Sequence, residues 1–338
     1  MRTPARIGVA GATGAVGREM LAVLEDRPSL VDSLRPMASA REEERTIPFG
    51  GADVPVVPLS RESLAGLDLV LFATGAAVAL EFAPLAVEQG AVVVDNSRAF
   101  RMEPDVPLVV PEVNPRAAGA HRGIVANPNC STIQMVLALK PLLDEAGIVR
   151  VVASTYQSVS GTGLAAIEEL RQQSASVLAG EPAVSEVYPS QIAFNCLPHI
   201  DDFDEAGNAR EETKMTLETR KILESPELPV TVTCVRVPVF RSHAVALNVQ
   251  TEDPLSPARA REVLRAFPGL AVVDDPESAA YPTQAAAAGS DATFVGRIRA
   301  DDSVENGLWM WVVADNLRKG AALNAVQIAE LLADEVPA

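Results

Sequence analysis

Cys130 stands in the segment ANPNCSTIQM, where an apolar strand pattern ends and a helical pattern begins. A thiol at a helix N-terminus feels the positive end of the helix dipole, which lowers its pKa and favours the thiolate. Asn129 and the backbone N–H groups of this turn could hold a negatively charged oxygen. The pattern therefore predicts a nucleophile. The alternative is a buried small side chain, the ordinary role of a free cysteine and the one predicted for Cys196 and Cys234.

His243 is the predicted acid–base partner of that thiol. It follows RVPVFRS and begins a strand pattern, so we expect it at a sheet edge beside a cleft, with a structural histidine as the alternative. The other two histidines are weaker candidates for this acid–base role, because His121 falls in a predicted surface loop and His199 precedes an acidic run.

Four further charged residues have positions that suggest binding. Arg98 directly follows the strand VVVDNS, at a carboxyl end where ligands bind in parallel sheets. Arg236 interrupts an apolar strand and needs an anionic partner, either from the protein or from a substrate. Glu211 and Lys214 are three residues apart and share one helix face, and a surface ion pair is the alternative there.

The segment GVAGATGAVG places three glycines between a strand and a helix. Gly11 permits a tight turn, Gly14 lets a pyrophosphate approach the backbone, and Gly17 lets the helix pack against the strand. The spacing is GxxGxxG rather than GxGxxG, and a flexible turn is the alternative. The strand–loop–helix context predicts a dinucleotide site.

The end of the second strand indicates which dinucleotide is bound. NAD sites carry an acid at this point, whereas this chain has Ser39 and Arg41. This favours the 2′-phosphate of NADP, although Glu42, Glu43 and Glu44 argue in the other direction.

Strands and helices alternate in the first part of the chain, which predicts a doubly wound parallel sheet. The predicted elements are strands 5–11, 33–39, LDLVLFAT, AVVVDNS and RGIVAN, with helices 15–26 and 76–89. The polar segment REEERTIPFGGADVP is predicted to be an exposed loop.

The second part of the chain predicts an α+β domain with an antiparallel or mixed sheet that is covered on one face. Its longer strands are IVRVVASTYQS, VTVTCVRVPVF, HAVALNVQ, TFVGRIRA and GLWMWVVAD, with helices 131–145, 163–179 and 213–223. The tail 317–334 is predicted to be an amphipathic helix.

Length and composition exclude several classes of protein. A chain of 338 residues predicts two domains, and a net charge of −17 argues against nucleic acid as a partner. Three scattered cysteines without a CxxC pair predict no disulfide framework, no metal site and a reducing, cytoplasmic compartment. No apolar run is long enough to span a bilayer, so no membrane partner is expected.

The motifs taken together resemble the aspartate-β-semialdehyde dehydrogenases, over nearly the whole chain. The resemblance rests on GATGAVG, DNSRAFR, NPNCSTIQ, TYQSVSGTG, EETKM, RVPV, TFVGRIR and WVVADNLRKGAALNAVQIAE, in this order. It implies a Rossmann-type NADP-binding domain at 1–128 and 316–338. It also implies a catalytic and dimerisation domain with a mixed sheet at 129–315.

The resemblance implies NADPH-dependent reductive dephosphorylation of aspartyl β-phosphate to aspartate β-semialdehyde, in lysine, threonine and methionine biosynthesis. Cys130 would form a thioester, and His243 would be the acid–base residue. Arg98 and Lys214 would hold the phosphate, and Arg236 and Glu211 would hold the α-carboxylate and amino group. Gln157 and Asn129 would complete the substrate contacts. The implied cofactor contacts are Gly11, Ala12, Thr13, Gly14, Ala15, Val16, Ser39, Arg41, Ser160, Gly161 and Asn316. A homodimer or homotetramer is expected.

Alternatives stay open beside this assignment. N-acetyl-γ-glutamyl-phosphate reductases share the chemistry, but the Glu211–Lys214 pair favours a free amino group. A non-catalytic relative would not need Cys130 and His243, and a glyceraldehyde-phosphate type of enzyme matches the cysteine motif poorly. The sequence REEE replaces the RSAG that is usual after the second strand, which affects part of the expected 2′-phosphate contact.

Overall fold

A computed structural model describes residues 4–42 and 45–334 of the chain. The chain folds into two compact units. The first unit is Met1–Asn129 with Ala321–Ala338, and the second is Cys130–Gly320. Each unit has its own sheet.

The first unit alternates strands and helices, as the sequence predicts. Its elements are β1 Ala5–Ala10, α1 Ala15–Glu25, β2 Val31–Ala38, β3 Thr46–Phe49, β4 Ala52–Pro55, β5 Val57–Pro58, α2 Arg61–Leu64, β6 Leu69–Phe72, α3 Ala76–Glu88, β7 Val92–Asp95 and β8 Ile124–Ala126.

The second unit is richer in long strands. Its elements are α4 Cys130–Ala146, β9 Arg150–Gln157, α5 Leu164–Leu178, α6 Arg210–Ile222, β10 Val230–Arg236, β11 His243–Gln250, α7 Pro257–Ala266, β12 Leu270–Val272, α8 Gln284–Ala287, β13 Thr293–Asp301 and β14 Gly307–Ala314. The chain then returns to the first unit as α9, Leu323–Asp334. None of the helices in the described part of the chain is both long and apolar enough to cross a bilayer.

The first sheet is parallel and doubly wound, so this prediction is confirmed. Its order is β5-β2-β1-β6-β7-β8. One apolar cluster joins the strands to α1 and α9 through residues such as Met20 and Ile328. A second cluster joins them to α2 and α3 through Leu64 and Ala83. The strand order reverses between β1 and β6, which is where such sheets open a crevice for ligands.

The predicted polar loop REEERTIPFGGADVP contains a hairpin instead. β3 and β4 pair antiparallel around Gly50 and Gly51, whose φ angles are +58° and +79°. These left-handed angles are the ones that a tight hairpin turn requires. Ile47 and Phe49 pack on the core cluster, so the prediction of a loop was wrong because this alternation was overlooked. Glu43 and Glu44 lie outside the described residues.

The second sheet is mixed, as predicted, with the order β10-β9-β11-β14-β13-β12. β10 runs parallel to β9, whereas β11 runs antiparallel to β9 and β14. α4, α6 and α7 pack on the sheet. In this register Gln157 is opposite both Arg236 and His243. Opposite residues on neighbouring strands share a face, so these three form one row at the end of the sheet, the Arg236–Gln157–His243 row.

Two predicted elements differ from the structure. The strand VTVTCVRVPVF ends at Arg236 rather than continuing to Phe240, because Pro238 has no N–H to donate to a ladder. The tail begins with a π-helical segment, Arg318–Ala322, and α9 has no exposed residue within 323–333. It is therefore a buried helix rather than an amphipathic one.

Candidate active site

The glycine loop follows β1 at the carboxyl edge of the parallel sheet. Gly11 has a φ of +82°, and a Cβ there would lie 2.6 Å from the Ala73 carbonyl oxygen. A Cβ on Gly17 would lie 2.1 Å from the Gly11 carbonyl oxygen, so the start of α1 can approach β1 only without a side chain. Gly14 caps α1 without any side-chain hydrogen bond. The helix start therefore presents backbone N–H groups to an anion, which fits a dinucleotide pyrophosphate. The loop and the first turn also contain the predicted residues Ala12, Thr13, Ala15 and Val16.

Ser39 and Arg41 lie directly after β2, and both are exposed. Arg41 belongs to a short 3₁₀ helix, Ala40–Glu42. A cation at this strand end is placed where a doubly wound fold holds the adenosine ribose.

The ends of β7 and β8 carry the other predicted residues of the first unit. Arg98 is exposed in the turn after β7, and Asn129 is buried and precedes Cys130. Arg101, which the sequence pattern did not reveal, donates from Nε to the Asn127 carbonyl at 3.0 Å and from Nη2 to the Asn96 carbonyl at 2.8 Å. Arg101 thus ties the two strand ends together.

Cys130 is the first residue of α4, at the helix start that the sequence pattern predicts, and its side chain is partly exposed. The position gives its sulfur the positive end of the helix dipole. A Cβ on Gly320 would lie 3.0 Å from the Cys130 Cβ, so the chain passes close to the thiol only because Gly320 has no side chain.

The other two thiols differ from each other. Cys234 is buried in β10, as predicted, and burial raises the pKa of its thiol. Cys196 is exposed, so the prediction of a buried thiol was wrong. Cys196 lies in an irregular segment after Phe194, which has a φ of +58°. The residue after Cys196, Leu197, turns inward and forms a β-bridge with Arg236.

His243 is fully buried at the first position of β11. β11 lies between β9 and β14, so the prediction of a sheet edge was wrong and the ring lies at a strand end instead. Its Nδ1 accepts from the Ser158 backbone N–H at 3.0 Å and lies 3.1 Å from the Ser158 Oγ. Its Nε2 is buried, with no hydrogen-bond partner among the described residues. Burial, followed by the charge of Arg236, lowers the pKa of His243 to about 3, against a smaller opposing effect of the Ser242 backbone.

Arg236 is 4 % exposed, and no carboxylate of the described residues forms an ion pair with it, although a buried guanidinium calls for one. Its Nη1 donates to the Ser158 carbonyl at 2.7 Å, and its buried Nε has no hydrogen-bond partner in the described part of the chain. A Cβ on Gly161 would lie 3.0 Å from this Nη1 and 3.2 Å from the His243 Nε2. Gly161 therefore leaves room for a ligand atom in front of both groups.

Glu211 and Lys214 form a contact of 3.2 Å on α6. Glu211 is 4 % exposed and accepts from the Gln157 Nε2 at 3.2 Å, which excludes a simple surface pair. Lys214 also contacts Asp201. Burial acts to lower the pKa of Lys214, but Glu211 and Asp201 outweigh it and the net pKa is raised. The ammonium group therefore stays charged.

Asn316 organises the loops beside His243. Its Oδ1 accepts from the Ser242 N–H at 2.9 Å, the Ser160 Oγ at 3.1 Å and the Ser158 Oγ at 3.2 Å. Ser158 was missed as a functional residue, although it stands in the motif TYQSVSGTG, because a serine gives no signal until its neighbours are known. No group of three or more metal-ligating side chains is found within 4–42 and 45–334.

Comparison with known proteins agrees with this architecture. Residues 6–121 match a family described as "Semialdehyde dehydrogenase, NAD binding domain", and residues 139–319 match "Semialdehyde dehydrogenase, dimerisation domain". An aspartate-semialdehyde dehydrogenase of Aquifex aeolicus is 53% identical over 334 residues, covering 98% of each chain.

Solved structures give the same result. Aspartate semialdehyde dehydrogenase II from Vibrio cholerae, complexed with ASA, has a TM-score of 0.94 and 46% identity over 98% of this chain and 99% of that one. An aspartate semialdehyde dehydrogenase with NADP from Candida albicans has a TM-score of 0.75 and 26% identity, covering 97% of this chain and 98% of that one. With a nucleophile at a helix start and the buried Arg236–Gln157–His243 row in one unit, and a dinucleotide loop in the other, the chain belongs to the aspartate-semialdehyde dehydrogenase family of oxidoreductases.

Proposed function

We propose that the protein reduces L-aspartyl β-phosphate to L-aspartate β-semialdehyde with NADPH, through a thioester on Cys130, in lysine, threonine and methionine biosynthesis. The Cys130 thiolate displaces phosphate from the acyl carbon, because cysteine is a strong nucleophile and its thioester remains reactive. NADPH, when bound, supplies the hydride that reduces this thioester. The close relatives that act on aspartate semialdehyde support the assignment.

The Arg236–Gln157–His243 row is the observation that carries the substrate assignment. Arg236 is a buried guanidinium whose Nε has no hydrogen-bond partner within 4–42 and 45–334, which suits an α-carboxylate. Glu211 is buried beside Gln157 and can receive an amino group. A guanidinium and a carboxylate are thus both placed next to Gln157, which suits an amino acid whose carboxyl and amino groups are both free. Arg98 and Lys214 would hold the phosphate, with Asn129 beside the reacting oxygen.

NADP is the proposed cofactor. The glycine loop fits a pyrophosphate, since side chains on Gly11 and Gly17 would fill the space that the loop needs. Ser39 and Arg41 would take the 2′-phosphate, and Ser160, Gly161 and Asn316 would lie at the nicotinamide. The relative from Candida albicans that contains NADP supports this choice.

The reaction is tested by phosphate-dependent reduction of NADP with L-aspartate β-semialdehyde, in the wild type and in Cys130→Ala. We expect turnover that requires phosphate and disappears in the variant, while Cys196→Ala, as a matched thiol control, retains it. Preference for N-acetylglutamate semialdehyde would contradict the substrate assignment, and faster turnover with NAD would contradict the cofactor assignment.

A homodimer, or a tetramer built from it, is the proposed assembly, in the cytoplasm. The match to a dimerisation domain supports the dimer. One face of the second sheet, which we call the open face, carries exposed or half-buried apolar side chains, among them Tyr156, Trp309 and Trp311. Three free cysteines fit a reducing compartment.

A further inference from the structure

Ser242, the residue before His243, has a backbone conformation that serine rarely adopts. Its φ is +73°, in the left-handed region, and the residue is fully buried. Such a conformation persists only where the surrounding structure imposes it. The Ser242 N–H donates to the Asn316 Oδ1 at 2.9 Å, and the Ser242 carbonyl accepts from the Gln284 Nε2 at 2.8 Å. The direction in which β11 begins, and with it the position of His243, therefore depends on how this turn is held.

A buried ion pair holds the same turn from the preceding residue. The Arg241 Nε donates to the Asp315 Oδ2 at 2.5 Å, and Asp315 is completely buried. The same carboxylate oxygen accepts from the Gly289 N–H at 2.6 Å. Removing one member of such a pair leaves a buried charge without compensation, so each member fixes the position of the other.

The other carboxylate oxygen of Asp315 orders the segment that follows β14. This Oδ1 accepts from the Leu317 N–H at 3.0 Å and from the Arg318 N–H at 3.1 Å. The Asp315 backbone carbonyl accepts from the Gly320 N–H at 2.9 Å. These three bonds close a tight turn around Asn316, so the direction of the Asn316 side chain is set by its neighbour Asp315.

Asp315 is thereby connected to both reacting groups of the second unit. On one side it holds, through Asn316, the turn from which β11 begins at His243. On the other side its carbonyl holds Gly320, whose Cβ, if present, would lie 3.0 Å from the Cys130 Cβ. A nucleophile and its acid–base partner lose rate steeply when either is displaced by about 1 Å.

We propose that the Asp315–Arg241 pair positions His243 relative to Cys130 for catalysis, without itself touching the substrate. The inference rests on the proposed function for the reaction that these two groups perform. Because the two members of the pair are 74 residues apart in the chain, the sequence pattern gives no signal of it.

The side chains proposed to bind the substrate are placed independently of this pair. Arg236 and Gln157 take their positions from the pairing of β10 with β9, and Glu211 takes its position from α6. Within 4–42 and 45–334, the Asp315 carboxylate bonds to none of these three side chains. Loss of the pair should therefore lower kcat much more than it raises KM.

Steady-state kinetics of Asp315→Asn, with L-aspartate β-semialdehyde, phosphate and NADP, test this role. The amide keeps the size of the side chain and one acceptor oxygen, but it removes the charge that holds Arg241. We expect kcat to fall about 10²-fold and KM for the aldehyde to change less than about threefold, because a misplaced reacting group costs rate rather than binding.

Asp68→Asn is the matched control. Asp68 also pairs with an arginine, Arg6, at 2.8 Å, and it also accepts a backbone N–H, from the same residue. It directly precedes β6, at the amino end of the strand, whereas the glycine loop lies at the carboxyl edge of that sheet. We expect kcat of Asp68→Asn within about twofold of the wild type, even if its thermal stability falls as far as that of Asp315→Asn. Equal losses of kcat in the two variants, or a raised KM with unchanged kcat in Asp315→Asn, would overturn the proposal.

Arg241→Gln tests the pair from its half-buried member, and it keeps the test decisive if Asp315→Asn does not fold. This variant should lower kcat at least about tenfold with little change in KM. Where both variants fold, the double variant should be no slower than the slower single variant, because both substitutions break the same contact. An unchanged kcat in Arg241→Gln, or losses that multiply in the double variant, would overturn the role of the pair.

Hydrogen exchange with mass spectrometry of the full chain measures the positioning independently of activity. In Asp315→Asn, segments 239–243 and 315–320 should exchange about tenfold faster or more, whereas Asp68→Asn should leave them unchanged. If the wild type lacks activity with aspartate β-semialdehyde, the proposed function fails while the exchange pattern still decides whether the pair holds the turn. If the wild type is active and Asp315→Asn changes neither exchange nor kcat, the function stands and the inference fails.

Discussion

Gly161 shows how much a single missing side chain can contribute to this site. A Cβ there would approach both Arg236 and His243, at 3.0 and 3.2 Å. Both neighbours are buried and bonded to Ser158, so they have little freedom to move away. The space in front of them therefore depends on glycine.

Gly161→Ala should lower kcat/KM for aspartate β-semialdehyde about 10²-fold, because the methyl group displaces the substrate by a fraction of an ångström or more. Steady-state kinetics measure the effect. A variant with unchanged kcat/KM would show that the substrate does not use the space beside Nε2.

At the residue scale, the sequence predicts where a site residue lies in the secondary structure better than it predicts which side chains surround that residue. Cys130 at a helix start and the glycine loop follow from local pattern, since strand, turn and helix lie within a few residues. The environment of His243 does not, because Ser158, which contacts the ring, and Asn316, which contacts Ser158, come from segments far apart in the chain. The exposure of Cys196 was missed for the same reason.

At the element scale, α5 fixes the irregular segment 184–193 by two buried side chains. The Glu169 carboxylate accepts from the backbone N–H groups of Glu186, Val187 and Tyr188. The Gln173 Oε1 accepts from Ile192 at 2.9 Å and from Ala193 at 3.1 Å. Tyr188 in turn donates to the Thr162 Oγ1 at 3.0 Å, in the 3₁₀ helix that contains Gly161. α5 thus supports the site through this segment.

Glu169→Gln should weaken this anchor, because an amide offers one acceptor oxygen and no charge to three backbone donors. Charge-assisted hydrogen bonds contribute about 1.5–3 kcal/mol, so amide exchange in 184–193 should accelerate by about tenfold or more. Hydrogen exchange with mass spectrometry measures it. Glu168→Gln is the matched control, since Glu168 is exposed and its partners among the described residues, Arg171 and Gln172, lie on the same helix. Equal exchange in both variants would contradict the role of Glu169.

The elements themselves were largely predictable, because strong periodicity determines strands and helices locally. The β3–β4 hairpin was missed because its polar and apolar residues were averaged over a longer segment. The burial of α9 was missed because alanine fits either a surface or a core, and only the packing of α9 beside α1 decides between them.

At the scale of the whole molecule, the open face of the second sheet is the proposed dimer surface. Trp309 lies on this face, with the Arg299 guanidinium 5.6 Å from its ring centre. A face that combines indole rings with arginine has the composition of a protein interface core.

Trp309→Lys should shift the dimer toward monomers, because it removes apolar area and places a third cation beside Arg297 and Arg299. Sedimentation velocity over a dilution series measures the change. Leu80→Lys, at an exposed position of α3 in the first unit, should leave the association unchanged. Dissociation of the Leu80 variant alone would place the interface elsewhere.

The chain passes between the two units at two points that lie close together, so the second unit could be removed as one segment. Cys130 and Gly320, the ends of the second unit, are neighbours, as shown by the 3.0 Å approach of a Gly320 Cβ. The flanking ends of the first unit are also close, since the Asn127 Nδ2 lies 3.4 Å from the Ala321 carbonyl oxygen. A segment with adjacent ends has the geometry of an insertion within a host domain. Joining residue 129 to residue 321 would therefore need only a short linker, and the host could be expressed without its insert.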